Sequence, residues 1–289
     1  MLSADDVSRL SCPRCRGTLR FRGQTRNRRL MRGGLSCYGC SAHFRVEDGL
    51  AHLYRDEEVR GSDRLMRVVY NGMAPLHNLA VKVLLPVFQQ GTEDEFRGGY
   101  IPRLELGSLQ RLPGEPPLRI LEVGIGAGAN LPWIRRELPA GVPVEIWGCD
   151  LSAGMLHVLR RELRRRGERD IRLLFGDAHA LPFPDHSFDR VFHVGGINGF
   201  RDPALAMEEM ARVAKPGTPI VVVDEHLDPS RDPNLYHRAM FKLVTWYDDD
   251  PHCPVEAVPP GAVDITQEQL SLFFFCLSFK MPAPGAPPA

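Results

Sequence analysis

The sequence has no excess of charge. Lys+Arg and Asp+Glu both total 36 in 289 residues, for a formal net charge of zero. This excludes a protein that coats nucleic acid through overall charge, though not a local basic patch. Long hydrophobic runs are also missing: Asp5 and Asp6 fall in the first ten residues, Lys82 and Pro86 interrupt the apolar stretches, and Leu272–Leu277 is only strand length. Neither a signal peptide nor a membrane span is therefore expected, and a cytoplasmic protein is. Residues 1–54 are poor in large aliphatic side chains and rich in Arg, Gly and Cys, so hydrophobic burial alone could not hold them together. The seven cysteines are an odd number, which fits metal ligation in a reducing compartment better than a disulfide framework. Internal repeats are absent.

Four of the cysteines supply the missing staple. Cys12-Pro-Arg-Cys15 and Cys37-Tyr-Gly-Cys40 are two knuckles separated by 21 residues, a spacing that lets two turns offer four thiolates to one tetrahedral zinc ion. Such a closed site is a folding element and leaves no thiolate for catalysis. Arg20, Arg22, Arg26, Arg28, Arg29 and Arg32 lie between the knuckles, on an expected exposed hairpin that is either a solvated loop or a phosphate contact.

Beyond this segment, residues 55–112 read as a helical linker or lid. Leu65, Val68 and Val69, then Leu79, Val83, Leu84 and Val87, recur at helical spacing, with breaks expected at Pro75 and Pro86. Residues 113–281 alternate strand-like runs with helical stretches, the signature of a parallel sheet covered by helices. Ala262–Thr266 and Leu272–Lys280 predict an antiparallel hairpin, and residues 282–289 a flexible Pro-rich tail.

Ile120-Leu-Glu-Val-Gly124-Ile-Gly126-Ala-Gly128 is an apolar strand running into a glycine turn, where a ligand can approach bare backbone. It is not the dinucleotide pattern, which needs glycine at Ala129, and no Lys-Ser/Thr follows to make a phosphate loop. Asp150 ends the second strand 26 residues after Gly124, where a carboxylate can accept both ribose hydroxyls; Asp177 ends the third and can accept from an adenine amine. Asp185, Ser187 and Asp189 read as plain turn residues, Cys149 as buried strand filler, and Glu208 and Glu209 as a solvated helix face.

These pieces resemble the class I S-adenosylmethionine-dependent methyltransferases, in particular the methyltransferase type 11 group that includes ubiquinone and menaquinone biosynthesis enzymes. The resemblance rests on Leu121–Gly128, Gly148–Leu156, Gly176–Asp189 and Glu208–Gly217, about 100 residues in the family's order. It implies a Rossmann-like, doubly wound α/β sheet with S-adenosylmethionine as cofactor. It also implies that Glu122, Gly124, Gly126 and Gly128 border the methionine part, that Asp150 holds the ribose, that Leu151 and Met155 flank the adenine, and that Asp177 with Ala178 reads its edge. Tyr70 and Val194 complete the implied cofactor set. Tyr70-Asn-Gly-Met-Ala74-Pro75-Leu-His77-Asn78 resembles the segment that folds over the cofactor in quinone-type enzymes, with Asn71, His77 and Asn78 in place of two acids and an aromatic. Residues 1–54 resemble the zinc ribbons of small tRNA-methyltransferase activator subunits, which suggests structural Zn2+ and a scaffold role open to a protein partner.

A small-molecule acceptor is expected beyond the carboxyl ends of the strands, where His193, Asn198 and His226, with His77 from the preceding segment, are the candidate catalytic groups. Each histidine also has a plainer structural reading, and methyl transfer need not use a base. Motifs for exocyclic amines and for cytosine C5 are absent. Two rival readings remain: an RNA-directed enzyme like the ribosomal RNA guanine methyltransferases, using the Arg-rich hairpin, and a non-catalytic cofactor-binding subunit, which the joint presence of Glu122, Asp150 and Asp177 disfavours.

Overall fold

The computed structural model describes residues 1–89, 92–168 and 170–283, and for 77–89 the backbone alone. Four short strands come first: β1 (Leu19–Arg26), β2 (Arg29–Cys37), β3 (His43–Glu47) and β4 (Leu50–Leu53), each antiparallel to the next. Helix α1 (Ser62–Gln89) then runs unbroken through Pro75 and Pro86, where two short helices were expected. Each proline removes one donor, and the α1 backbone absorbs both losses without ending. Helix α2 (Glu93–Tyr100) starts in a capping box between Thr92 and Glu95.

Strands β5 (Leu118–Val123), β6 (Val144–Asp150), β7 (Ile171–Gly176), β8 (Arg190–Val194) and β9 (Pro219–Glu225) are parallel. They are interleaved with α3 (Leu131–Glu137), α4 (Ala153–Arg165) and α5 (Pro203–Val213). After α6 (Leu235–Val244), β10 (Val263–Gln269) and β11 (Phe274–Lys280) form the expected antiparallel hairpin, with β11 against β9. The order is β1-β2-β3-β4-β7-β6-β5-β8-β9-β11-β10, so the direction of winding reverses between β5 and β8. This doubly wound sheet is the Rossmann-like architecture expected from the alternating pattern.

Alternation along the strands divides the core into two faces. Leu121, Trp147, Val191, Val222, Phe275 and Leu277 pack on one, and Ile120, Ile146, Leu173, Phe192, Val221 and Cys276 on the other. The aromatic run Phe273–Phe275 is buried, and so is Cys149, as the sequence suggested.

Residues 1–54 are joined to this sheet through the parallel pairing of His52 with Phe175 and Leu53 with Gly176. Their buried Leu2, Leu19, Leu30, Leu35 and Val46 belong to the same cluster as Trp147 and Val191. The apolar surface that this segment lacks is thus supplied by its neighbour. Among the described residues, no helix is long and apolar enough to cross a membrane. Most of the Pro-rich tail, residues 284–289, lies outside the described residues.

Candidate active site

A cleft of about 260 Å³ opens beyond the carboxyl ends of β5 and β8, at the reversal of strand order. Gly124 and Gly126 turn the chain there with φ of +67° and +53°, values that favour glycine. A Cβ on Gly124 would stand 3.1 Å from the His193 ring, whereas one on Gly126 would meet only the Gly124 carbonyl oxygen at 3.9 Å, so Gly126 presents bare backbone. Gly128 does something else: it lies outside the lining of this cleft, and a Cβ there would meet Leu159 at 2.4 Å and Leu131 at 2.9 Å. Its lack of a side chain lets the turn pack against α4.

Asp150, at the end of β6, pins the turn. Its Oδ2 accepts from the Gly126 N–H at 2.8 Å and its Oδ1 from the Ser152 N–H at 2.7 Å. Burial raises its pKa, and these backbone donors act in the opposite sense. From above, α1 closes on α4: Asn71 Oδ1 accepts from Ser152 Oγ and from the Gly154 N–H, both at 2.9 Å. Gly154 permits this approach, since a Cβ on it would fall 2.8 Å from the Asn71 carbonyl oxygen.

Glu122 is fully buried on β5, and burial pushes its pKa up to about 8. Its Oε1 accepts from Asn130 Nδ2 at 2.5 Å, while Asn130 Oδ1 accepts from the Tyr100 hydroxyl at 2.6 Å and from Arg97. The other carboxylate oxygen, Oε2, has no partner. Asn130, an unusual residue at the start of the helix, is thus what orients Glu122, a role that only the fold reveals.

Asp177 lines the cleft, but its oxygens are already engaged. Oδ1 accepts from the His179 N–H at 2.9 Å and lies 2.6 Å from His179 Nδ1; Oδ2 lies 3.0 Å from Arg201. Burial alone would raise its pKa, yet His179 and Arg201 overcome this and hold it below the usual carboxylate range. Arg201 also pairs with the buried Asp63 of α1, which stands 3.7 Å from His179. Although Asp63, Asp177 and His179 are close enough to hold a cation, the Arg201 guanidinium already supplies the positive charge. Sequence reasoning missed this network because its members come from three distant segments.

Tyr70, Leu151, Met155, Ala178, His193 and Val194 also line the cleft. Asn198 and His226 do not: Asn198 Nδ2 donates to the Glu225 carbonyl oxygen at 2.8 Å, and His226 lies outside the lining with Nδ1 buried. For His77 and the expected lid residues 79–88 the backbone alone is described, so their side chains are not placed against the cleft. Two expectations away from the cleft are corrected. Glu209 is buried rather than solvated, with Oε2 accepting from the Leu181 N–H at 2.7 Å and Arg212 bound to both oxygens, while Glu208 is exposed. Asp189 is no plain turn residue, because it accepts from the Arg119 N–H at 2.8 Å and pairs with Lys215 at 2.6 Å.

The ligand atoms of Cys12, Cys15, Cys37 and Cys40 lie within 4.8 Å of one another. Sγ–Sγ separations of 3.7 Å (Cys12–Cys40) and 3.4 Å (Cys15–Cys37) are close to the roughly 3.8 Å edge of a zinc–thiolate tetrahedron. A Cβ on Gly17 would stand 3.1 Å from Cys37 Sγ, and one on Gly39 3.3 Å from Cys15 Sγ, so the knuckles need bare backbone around the sulfurs. The donor set fits a closed zinc site.

Residues 121–222 match the family described as a methyltransferase domain. This match covers about a third of the chain. Relatives of the chain include a demethylmenaquinone methyltransferase of Thermus thermophilus, 35% identical over 44% of this chain and 56% of that one. Another from Paenarthrobacter aurescens is 36% identical over 53% of this chain and 65% of its own length. A ubiquinone/menaquinone biosynthesis C-methyltransferase of Burkholderia multivorans is 32% identical over 46% and 54%. The chain spans about half the length of the curated relatives it matches. Among solved structures, one from Methanococcus maripaludis assigned to the S-adenosyl-L-methionine-dependent methyltransferases superposes with a TM-score of 0.50 at 14% identity, covering 74% of this chain and 94% of that one. That likeness concerns the fold alone. The RNA-directed and non-catalytic readings gain no support from these relatives.

Proposed function

We propose that the methyltransferase domain uses S-adenosylmethionine to methylate a ring carbon of a small quinol-like acceptor, and that the four cysteines hold a structural zinc ion. The observation that carries the reading is the conjunction of Glu122, Gly126 and Asp150 at the strand reversal. Glu122 Oε2 is a buried acceptor without a donor, Gly126 is bare backbone, and Asp150 keeps acceptor capacity beyond its bonds to backbone N–H groups. This set fits a ligand with an ammonium at one end and ribose hydroxyls further along. Bound there, S-adenosylmethionine supplies an electrophilic methyl group. The chain's own residues orient it and exclude water, with α1 closing over the cleft through Asn71, Asp63 and Tyr70.

A small acceptor is supported by the cleft's size and by Met66, Phe96, Phe200 and Phe274 in its lining, and the quinol class by the names of the relatives. The Arg-rich hairpin contributes no residue to the lining of the cleft. The test is calorimetry with S-adenosylmethionine, followed by methyl transfer to dithionite-reduced naphthoquinones with labelled donor. Micromolar cofactor binding with label in the ring is the expected result, and no cofactor binding would overturn the reading.

A further inference from the structure

Resting on that reading, we propose that His193 Nε2 is the base that takes the hydroxyl proton of the acceptor, so that the enzyme selects rings bearing a free O–H beside the methylated carbon. The imidazole sits near the end of β8 and is buried. Nδ1 lies 2.8 Å from the Val123 carbonyl oxygen, which can only accept, so Nδ1 carries the hydrogen and Nε2 keeps its lone pair. Nε2 is buried without a partner, and a buried acceptor in that state calls for a donor from whatever fills the cleft. A Cβ on Gly196 would stand 3.9 Å from Nε2, so the glycine leaves space beside it, and the Phe200 ring packs with centroids 4.9 Å apart. An aromatic ring carrying one acidic hydroxyl matches these surroundings.

Burial lowers the imidazole pKa and keeps it neutral, ready to receive a proton. The other titratable side chains lining the cleft are Asp63, Arg67 and Tyr70 from α1, Arg97 from α2, Glu122 from β5, Asp150 from β6, Asp177 and His179 after β7, and Glu225 from β9, with Asp224 behind it. The Tyr247 hydroxyl donates to Glu225 Oε2 at 3.0 Å, and burial together with Asp224 raises the Glu225 pKa well above the usual range.

In the step, the hydroxyl proton passes to Nε2 and the freed electron pair moves through the ring to the adjacent carbon. That carbon forms the new bond to the methyl group while the pair of the broken S–C bond stays on sulfur. The ring C–H proton leaves to water, the hydroxyl regains its proton from the imidazolium, and one proton is released overall.

The test compares 1,4-naphthohydroquinone, held reduced by dithionite, with its dimethyl ether, in wild type and His193→Asn. The asparagine keeps an N–H for the Val123 carbonyl and removes the basic nitrogen. We expect methylation of the hydroquinone and not the diether, and a fall in kcat of about 10² or more in the variant with cofactor affinity unchanged. The variant should also lose the imidazole limb of the pH profile. Turnover of the diether, or a variant within threefold of wild type, would overturn the proposal, as would wild type that binds cofactor yet leaves the hydroquinone untouched. Wild type that binds no cofactor would instead overturn the methyltransferase reading. If the variant does not fold, the comparison of hydroquinone with diether in wild type still decides.

Discussion

Arg16 and Glu209 meet at 3.2 Å across 193 residues of sequence. Arg16 follows the first cysteine knuckle, and Glu209 is the buried α5 carboxylate that accepts from the Leu181 N–H. Ser11, just before Cys12, donates its N–H to the Pro182 carbonyl oxygen at 3.0 Å. The four-cysteine cluster therefore braces, from behind, the loop whose beginning carries Asp177 and His179 at the cleft.

Loss of the metal should reach the cofactor through this brace. Cys37→Ser, or exhaustive chelation, is expected to loosen residues 1–54 while the parallel sheet persists, because structural zinc contributes on the order of 10 kcal/mol to the fold of its ligand loops. Metal analysis should give one zinc per chain in wild type. Hydrogen exchange should show protection lost at both knuckles and at residues 177–185. An equally protected metal-free protein would contradict the assignment.

Glu209→Ala should be costly despite its distance from the cleft. It strands Arg212 and the Leu181 N–H, and removing one partner of a buried, hydrogen-bonded charge costs about 3–5 kcal/mol. Urea unfolding is the measurement. Glu208→Ala, on the exposed side of the same helix, should change stability by less than about 0.5 kcal/mol.

Asp150→Ala removes the proposed acceptor for ribose hydroxyls and frees the Gly126 N–H. Cofactor affinity should fall by roughly 10²–10³, the scale of lost charge-assisted hydrogen bonds. Unchanged affinity by calorimetry would show that the cofactor lies elsewhere.

Two glycines of one turn should separate stability from binding. Gly128→Ala drives a Cβ into Leu159 and Leu131 at φ +76° and should destabilise by about 1–3 kcal/mol. Gly126→Ala has open space around its Cβ, so beyond the roughly 1–2 kcal/mol that an alanine costs in the left-handed region it should lower cofactor affinity as well. Thermal melting and calorimetry on both variants distinguish the two roles.

Glu122 makes a pH-dependent prediction. Its folded-state pKa of about 8 lies above the ordinary 4.5, so the folded chain holds a proton that the unfolded chain has lost, and stability falls as pH rises from about 4.5 to 8. Glu122→Gln should therefore raise the melting temperature of the free protein at pH 8–9 relative to wild type. In wild type, cofactor binding at pH 7 should release a proton, because an ammonium beside Oε2 favours the carboxylate. Calorimetry in buffers of different ionisation enthalpy measures that proton.

The sequence by itself determined what short-range pattern can carry. Apolar runs placed β5 to β9 because strands covered on both faces are apolar at most positions, and glycine spacing marked the turn because positive φ penalises other residues. Paired cysteines three positions apart marked the four-cysteine cluster from a short window alone. Only the tertiary structure decided the partners. Glu209, Asp189 and Asp63 look like ordinary surface acids in sequence, and became buried when Leu181, Arg119 and Arg201 were brought to them from other segments. Likewise, Asn130 acquired its role from Glu122, and the amino-terminal strands their core from β7. Such pairings depend on which elements become neighbours in the sheet, and that depends on the burial of the whole chain, which no local window contains.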